Sequence, residues 1–284
     1  MIKLIVLDVD GVIVGHQPGI NFPYPKQEII DALKKVRQKG IAVVLCSGKF
    51  YPAVEEIVHR AHLDNPHITD SGSLIIDPIA KKTIGSYYMD KDLVTKILTT
   101  CLENNIHIEA FSDTDYFMQQ GVSDLVKYKR SQIFQTSPVI VKSIVDEAKE
   151  HHIIRFTAIA FNEKDKEKIE RILQPFDGLV KTVWTSNPST HPWKYFLMTA
   201  LNASKAAALT KVAKSLNIPL ENTLGVGDTL GDWEFMKLCG YAATMADAEE
   251  ELKQEVRTKG EGKYLIGPSV DEDGILKIFD YFLK

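Results

Sequence analysis

Residues 3–12, Lys-Leu-Ile-Val-Leu-Asp-Val-Asp-Gly-Val, constrain the fold more than any other stretch. The unbroken apolar run from Leu4 to Leu7 reads as a strand buried on both faces of a parallel sheet. Residues i and i+2 of a strand face the same way. Asp8 and Asp10 are thus delivered together at the carboxyl end of that strand, where open α/β sheets bind ligands. Neighbouring carboxylates repel, so one must take a raised pKa or a cation must neutralise them. A hard divalent ion that prefers oxygen ligands meets that need best. The plainer alternative, an Asx-turn closing the strand at Asp10-Gly11, suits one aspartate better than two.

The chain continues in the same grammar. A helix from Lys26 to Gln38 leads to a second apolar strand, Ile41–Leu45, then Cys46-Ser47-Gly48-Lys49 and a helix from about Pro52 to His62. Strand and helix in alternation predict a parallel, right-handed α/β sheet. Ile68–Gly72 is a third strand-to-turn junction, and residues 73–88 alternate as a hairpin. From about residue 85 the pattern changes to half-buried strands and surface helices, the mark of an α+β sandwich. The block runs to a Pro-rich stretch, Asn187–Pro192, that reads as a hinge. The parallel pattern then resumes with a Ser204-capped helix, a strand at Asn222–Val226, and further helices and strands to the end. The expected division is residues 1–84 with 190–284 as the α/β body, and 85–189 as an insert.

With 284 residues, 44% apolar and 25% charged, the composition is that of an ordinary globule. A formal net charge of −4 offers no general attraction to nucleic acid or to anionic membranes. There is no membrane-length apolar run and no signal-peptide pattern at the start. Cys46, Cys101 and Cys239 have no metal-like spacing and read as reduced core thiols, so a cytoplasmic location is expected. The pairs His59/His62 and His151/His152 lack acid or thiol partners at a diagnostic spacing and read as surface residues.

Four junctions between a strand and the following helix or loop carry polar residues suited to one phosphate site. Besides Asp8 and Asp10, Ser47-Gly48 offers a hydroxyl and backbone amides. Lys205 stands in the first turn of its helix, where a cation is slightly unfavourable and its placement invites a functional reading. Gly225-Val226-Gly227-Asp228-Thr229-Leu230-Gly231-Asp232 again ends an apolar strand in glycines and acids, with two acids four residues apart. Its glycine spacing does not fit a dinucleotide fingerprint.

These motifs together resemble the haloacid-dehalogenase-like (HAD) phosphohydrolases, in particular the Cof-type subgroup IIB. The resemblance implies a Rossmann-like core, a parallel sheet with helices on both faces, and an inserted α+β cap that reads the substrate. It implies that Asp8 is the nucleophile and Asp10 the general acid/base. Ser47, with Gly48 beside it, and Lys205 would bind the phosphoryl group. Mg²⁺ would be held by Asp8, the Asp10 carbonyl and Asp228, with Asp232 ligating directly or through water. Several positions depart from the pattern. Val12 replaces a usual Thr, Lys49 an Arg and Gly231 an Asn, and Asp247, in place of an Asn, puts an extra carboxylate near the phosphate side.

The implied activity is Mg²⁺-dependent hydrolysis of small phosphate esters, sugar or polyol phosphates among them, through an aspartyl-phosphate. The alternatives are a phosphotransferase or mutase using the same intermediate, and a non-catalytic phospholigand-binding protein. No nucleic-acid or membrane partner is expected, and the chain would act as a monomer or homodimer. Candidate substrate contacts are Lys49, Trp184 and Asn187, with Asp113, Asp115, Tyr116, His191, Trp193 and Tyr195 as further candidates, although aromatic residues in strands are more often core.

Overall fold

The computed structural model describes the backbone of residues 1–284 and every side chain except that of Pro188. In chain order it begins with β1 (Leu4–Leu7), α1 (Gln27–Gln38), β2 (Ala42–Leu45), α2 (Pro52–Ala61), β3 (His67–Thr69), β4 (Leu74–Asp77) and β5 (Lys82–Ser86). There follow α3 (Lys91–Glu103), β6 (His107–Phe111), β7 (Tyr116–Gln119), α4 (Asp124–Phe134), β8 (Val139–Val141), α5 (Ile144–Glu150), β9 (Arg155–Ala160), α6 (Glu163–Leu173), β10 (Val180–Ser186) and β11 (Lys194–Ala200). The chain closes with α7 (Lys205–Ser215), β12 (Thr223–Val226), α8 (Trp233–Met236), β13 (Tyr241–Met245), α9 (Glu250–Arg257), β14 (Tyr264–Gly267) and α10 (Gly274–Phe282).

Two compact units result, Met1–Gly85 with Ser204–Lys284, and Ser86–Ala203. The second unit extends past the boundary expected at residue 189. Lys194–Ala200 forms β11, which pairs antiparallel with both β10 and β9. The Pro-rich stretch is therefore the turn of a hairpin, and a strand with partners on both sides cannot leave its sheet. The proline content had concealed that strand.

In the first unit a five-stranded sheet runs in the order β14-β13-β12-β1-β2, with every pair parallel. Alternation along β1 explains its continuous apolar sequence. Ile5 and Leu7 pack with Ile29, Leu33, Val54, Ile57, Ile275 and Ile278 from α1, α2 and α10. Leu4 and Val6 pack with Ala208, Leu209, Val212, Phe235 and Leu252 from α7, α8 and α9. Helices therefore cover both faces, as expected of a Rossmann-like core. The register places Leu7 opposite both Val226 and Leu45. Three strands end level, and the residues just beyond them, Asp8, Gly227-Asp228 and Cys46-Ser47, meet at one edge.

The second unit holds a six-stranded sheet, β10-β11-β9-β6-β7-β8. Ile108, Ala110, Phe156, Ala158, Phe196 and Met198 meet apolar residues of α3, α5 and α6. Glu109, one residue out of phase with Ile108 and Ala110, is directed to the opposite face. There Arg130 of α4 donates to it through Nε at 2.8 and 3.0 Å and through Nη2 at 2.5 Å. The Arg130 guanidinium also lies 4.3 Å from the Phe134 ring and 4.5 Å from the Tyr195 ring. Helix α4, capped by Ser123 Oγ, occupies the polar stretch after β7.

Candidate active site

Asp8 follows β1 directly and is buried; its N–H donates to Val226 O at 2.9 Å, which ties it to β12. Lys205 opens α7, whose first turn is held by Ser204 Oγ accepting from Ala207 N–H at 2.9 Å. Gly72 permits this placement. At φ +92° a Cβ on it would fall 2.2 Å from the Ser204 carbonyl carbon, so only glycine lets the loop after β3 reach the α7 N-terminus. The Lys205 ammonium then lies 2.5 Å from Asp8 Oδ1 and 2.6 Å from Asp232 Oδ1.

Asp232 is held on its other side as well. Its Oδ2 accepts from Asp228 N–H (3.2 Å), Thr229 N–H (3.1 Å) and Thr229 Oγ1–H (3.1 Å), part of a capping box around the short turn Leu230–Asp232. The Thr229-x-x-Asp232 spacing is the sequence signature of such a box. Burial pushes the Asp232 carboxyl up, but the Lys205 charge and these hydrogen bonds outweigh it and hold the group below its usual range. Burial likewise opposes the Lys205 charge, and Asp232 and Asp8 reverse that effect and raise it well above a normal lysine. Asp8 rises to about 7 through burial, with Lys205 pulling it down and Asp232 pushing it up. Asp228 rises to about 9 through burial and the Asp8 and Asp232 charges.

One carboxylate oxygen from each of Asp8, Asp228 and Asp232 lies within 4.8 Å of the others. Three carboxylates against the single Lys205 ammonium leave an excess of two negative charges when all are ionised. The donors are hard oxygens, and the raised Asp8 and Asp228 values mark negative charge that these residues accommodate poorly among themselves. This donor set fits a divalent cation such as Mg²⁺. Asp8 and Asp228 suit direct ligation better than Asp232, whose two oxygens already serve Lys205 and the turn.

Asp10 is half exposed and its Oδ1 lies 3.1 Å from Lys49 Nζ. The Lys49 candidate thus partners the expected acid/base. Ser47 is buried; its Oγ accepts from Lys49 N–H at 3.1 Å and its own N–H donates to Ile68 O at 2.9 Å. Gly48 continues this turn beside Ser71. Asp8, Ser47, Lys205, Asp228 and Asp232 all belong to strand ends or helix starts of the first unit.

The candidates in the second unit behave differently. Trp184 packs on Phe196, with ring centroids 4.9 Å apart, and joins the apolar cluster beneath the helices. Asn187 Oδ1 accepts from Ser189 N–H (3.0 Å) and Oγ–H (2.6 Å), which builds the hairpin turn. Tyr116 and Tyr195 are buried and donate to Thr136 O and Thr190 Oγ1. Trp193 meets Phe161 edge-on. The Asp113 carboxylate accepts from Tyr88 Oη–H and that of Asp115 from Thr114 Oγ1–H. Trp184 and Asn187 thus make packing and turn contacts within their own unit.

The departures are also explained locally. Val12 is fully buried in the apolar cluster of β1, α1 and α10, where a hydroxyl would need a partner. Asp247 Oδ1 accepts from Val270 N–H at 3.2 Å and so ties two loops together. Gly231 is exposed, with room for a side chain, its nearest neighbour to a built Cβ being Thr229 Oγ1 at 3.5 Å.

Residues 5–279 match the family model of haloacid dehalogenase-like hydrolases. The chain is 25% identical over 271 residues to the phosphatase YwpJ of Bacillus subtilis, covering 88% of this chain and 92% of the relative. It is 24% identical over 265 residues to a phosphoglycolate phosphatase of Staphylothermus marinus, covering 92% and 94%. Among solved structures, a haloacid dehalogenase-like hydrolase from Bacteroides thetaiotaomicron superposes with a TM-score of 0.83 at 17% identity over 99% of both chains. A HAD subclass IIB sugar phosphatase superposes with a TM-score of 0.75 at 19% identity, over 99% of this chain and 98% of that one. No helix is long and apolar enough to cross a membrane among the described residues.

Proposed function

The chain belongs to the haloacid dehalogenase-like hydrolases, and on that premise we propose that it is a Mg²⁺-dependent phosphatase of small phosphate esters, sugar or polyol phosphates among them. The observation that carries this reading is the Lys205 ammonium set between Asp8 and Asp232, beside Asp228, at the level ends of β1, β2 and β12. The names of the relatives, phosphatases at similar length, support the reaction type.

In this reading an Asp8 carboxylate oxygen attacks phosphorus, and the bond to the leaving alkoxide breaks as an aspartyl-phosphate forms. Asp10 gives its proton to that alkoxide, then takes one from the water that cleaves the intermediate. Lys205 and the Ser47 hydroxyl bind the phosphoryl oxygens, with backbone N–H groups at Gly48 alongside. Asp8, Asp228 and the Asp10 carbonyl would hold Mg²⁺, with Asp232 behind them. The ion would offset charge on the phosphoryl oxygens and between the carboxylates. Ser86–Ala203 would act as the cap that selects the leaving group and limits water. The test is phosphate release from a panel of sugar, polyol, nucleotide and short-acid phosphates, with Mg²⁺ or EDTA and with Asp8→Asn alongside. Metal-dependent release absent from the mutant supports the proposal. A folded protein that releases nothing from any member contradicts it, and stimulation by a bisphosphate would move the assignment to a mutase.

A further inference from the structure

Strand β2 is the last strand of its sheet. On its inner side Ala42 and Cys46 N–H donate to Lys3 O and Leu7 O of the β1 segment. The alternate N–H groups, those of Val43, Leu45 and Ser47, point to the outer side. An open edge would leave them without strand partners, but each has an acceptor. Asn65 Oδ1 accepts from Val43 N–H at 3.3 Å, and its Nδ2 donates to Val43 O at 2.8 Å, as a peptide group of a neighbouring strand would do. His67 Nδ1 accepts from Leu45 N–H at 3.1 Å. Only at Ser47 does a backbone acceptor, Ile68 O, take over.

The His67 ring is fully buried, and its bonds fix its state. An acceptor at Nδ1 places the proton on Nε2, which donates to Leu63 O at 3.2 Å. The ring thus spans from the chain after α2 to the β2 edge, two residues before Ser47.

We propose that Asn65 and His67 form a side-chain ladder along β2 that positions Ser47 for phosphate, with His67 the decisive positioning residue. This inference rests on the phosphatase reading of the site. A lost rung at Leu45 leaves a buried N–H without an acceptor. The strand end then shifts, and the Ser47 hydroxyl and the Gly48 amide shift with it.

The experiment compares His67→Phe, which keeps the ring volume without an acceptor, with His67→Asn, whose Oδ1 stands where Nδ1 did. In the Mg²⁺-loaded protein, His67→Phe should raise KM for p-nitrophenyl phosphate and Ki for inorganic phosphate about tenfold, the factor expected for roughly 1.4 kcal/mol of lost binding. Its kcat should change less, and His67→Asn should bring both constants back toward wild type. If the Phe variant does not fold, His67→Gln, which has no acceptor at the Nδ1 position, replaces it with the same expectation. A wild-type Ki in the variant lacking the acceptor, or equal losses in both variants, overturns the ladder. Wild type that hydrolyses no ester overturns the phosphatase reading, and calorimetric binding of inorganic phosphate then decides the ladder in the same variants.

Discussion

Gly11 and Asp228 approach so closely that a Cβ built on Gly11 would fall 2.1 Å from Asp228 Oδ2. Gly11 also has φ +71°, a conformation that L side chains rarely adopt. The glycine after Asp10 therefore leaves room for a carboxylate more than two hundred residues away in the chain. Gly11→Ala should displace Asp228 and weaken metal binding at least tenfold, with a stability loss of about 1–3 kcal/mol, the usual range for overpacking. Titrating Mg²⁺ against activity measures the first effect and urea unfolding the second. An unchanged Mg²⁺ requirement would show that Asp228 is not a ligand.

The raised carboxyls predict how metal and pH are linked. Asp8 near 7 and Asp228 near 9 lie above their ordinary value of 3.8. Groups raised on folding lend stability that is full below the unfolded value and is lost as pH rises through the folded one. Through these two carboxyls the EDTA-treated protein should thus weaken from about pH 4 to 9, and Mg²⁺ should raise its Tm more at pH 8.5 than at pH 6. Asp8→Asn removes one buried charge, so it should flatten this decline while abolishing turnover. A Mg²⁺ shift that shrinks with rising pH would sink the assignment of the charge excess.

Asp10 should separate the two chemical steps. Asp10→Asn should slow steady turnover by about a hundred- to ten-thousand-fold, the ordinary share of general acid–base catalysis. With p-nitrophenyl phosphate, whose leaving group needs little protonation, the first step should survive better than the second. A burst of p-nitrophenolate followed by a slow phase is expected in rapid mixing. Equal loss in both phases would remove Asp10 from the water step.

In the second unit the Glu109–Arg130 pair is buried on both sides, with side-chain exposures of 0% and 4%. Burial pushes Glu109 up, but the Arg130 charge and hydrogen bonds, with the His107 ring 3.7 Å away, hold it below its usual value. A depressed carboxyl lends stability above its unfolded value, near pH 4.3, and that contribution is lost as pH falls through the folded value. Glu109→Gln should cost about 3–5 kcal/mol at neutral pH by stranding the arginine. Chemical unfolding followed by circular dichroism measures this, and a loss below 1 kcal/mol would show that the pair is not needed.

His67 gives a second acid limit. Burial lowers it to about 4 from 6.5, with the Leu63 bond opposing. A histidine depressed on folding stabilises above its unfolded value, so stability should decline from about pH 6.5 down to 4 as the unfolded chain takes up the proton first. In His67→Asn that share of the decline should disappear from the pH dependence of urea midpoints.

Much of the site was readable because its residues follow apolar strands whose ends the register brings level. Asp8, Ser47 and Asp228 needed only that alternation and the parallel topology. The Thr229 capping box was readable too, through its three-residue spacing. The roles in the second unit were not. Nothing in the order of residues tells that Trp184 turns toward Phe196 beneath the helices, or that Asn187 spends its side chain on Ser189. Pro192 masked β11, since a proline in a hairpin turn and one in a linker look alike until the partner strands are known. The His67 rung was hidden for a related reason. A lone histidine shows neither its burial nor the orphan N–H it serves, because both come from a strand edge twenty-two residues back.

The interruption of the first unit sets an order on its synthesis. Asp8 and Lys205 are 197 positions apart, and β12, the strand on the far side of β1 from β2, emerges later still. A ribosome therefore releases every strand and helix of Ser86–Ala203 before β1 can acquire its second neighbour. The second unit can mature on the nascent chain while the first waits with one side of its central strand bare. An exposed, wholly apolar strand is the segment most open to wrong pairing in that interval. Substitutions that slow elongation or delay folding after residue 204 should therefore lower soluble yield far more than they lower the stability of the finished protein.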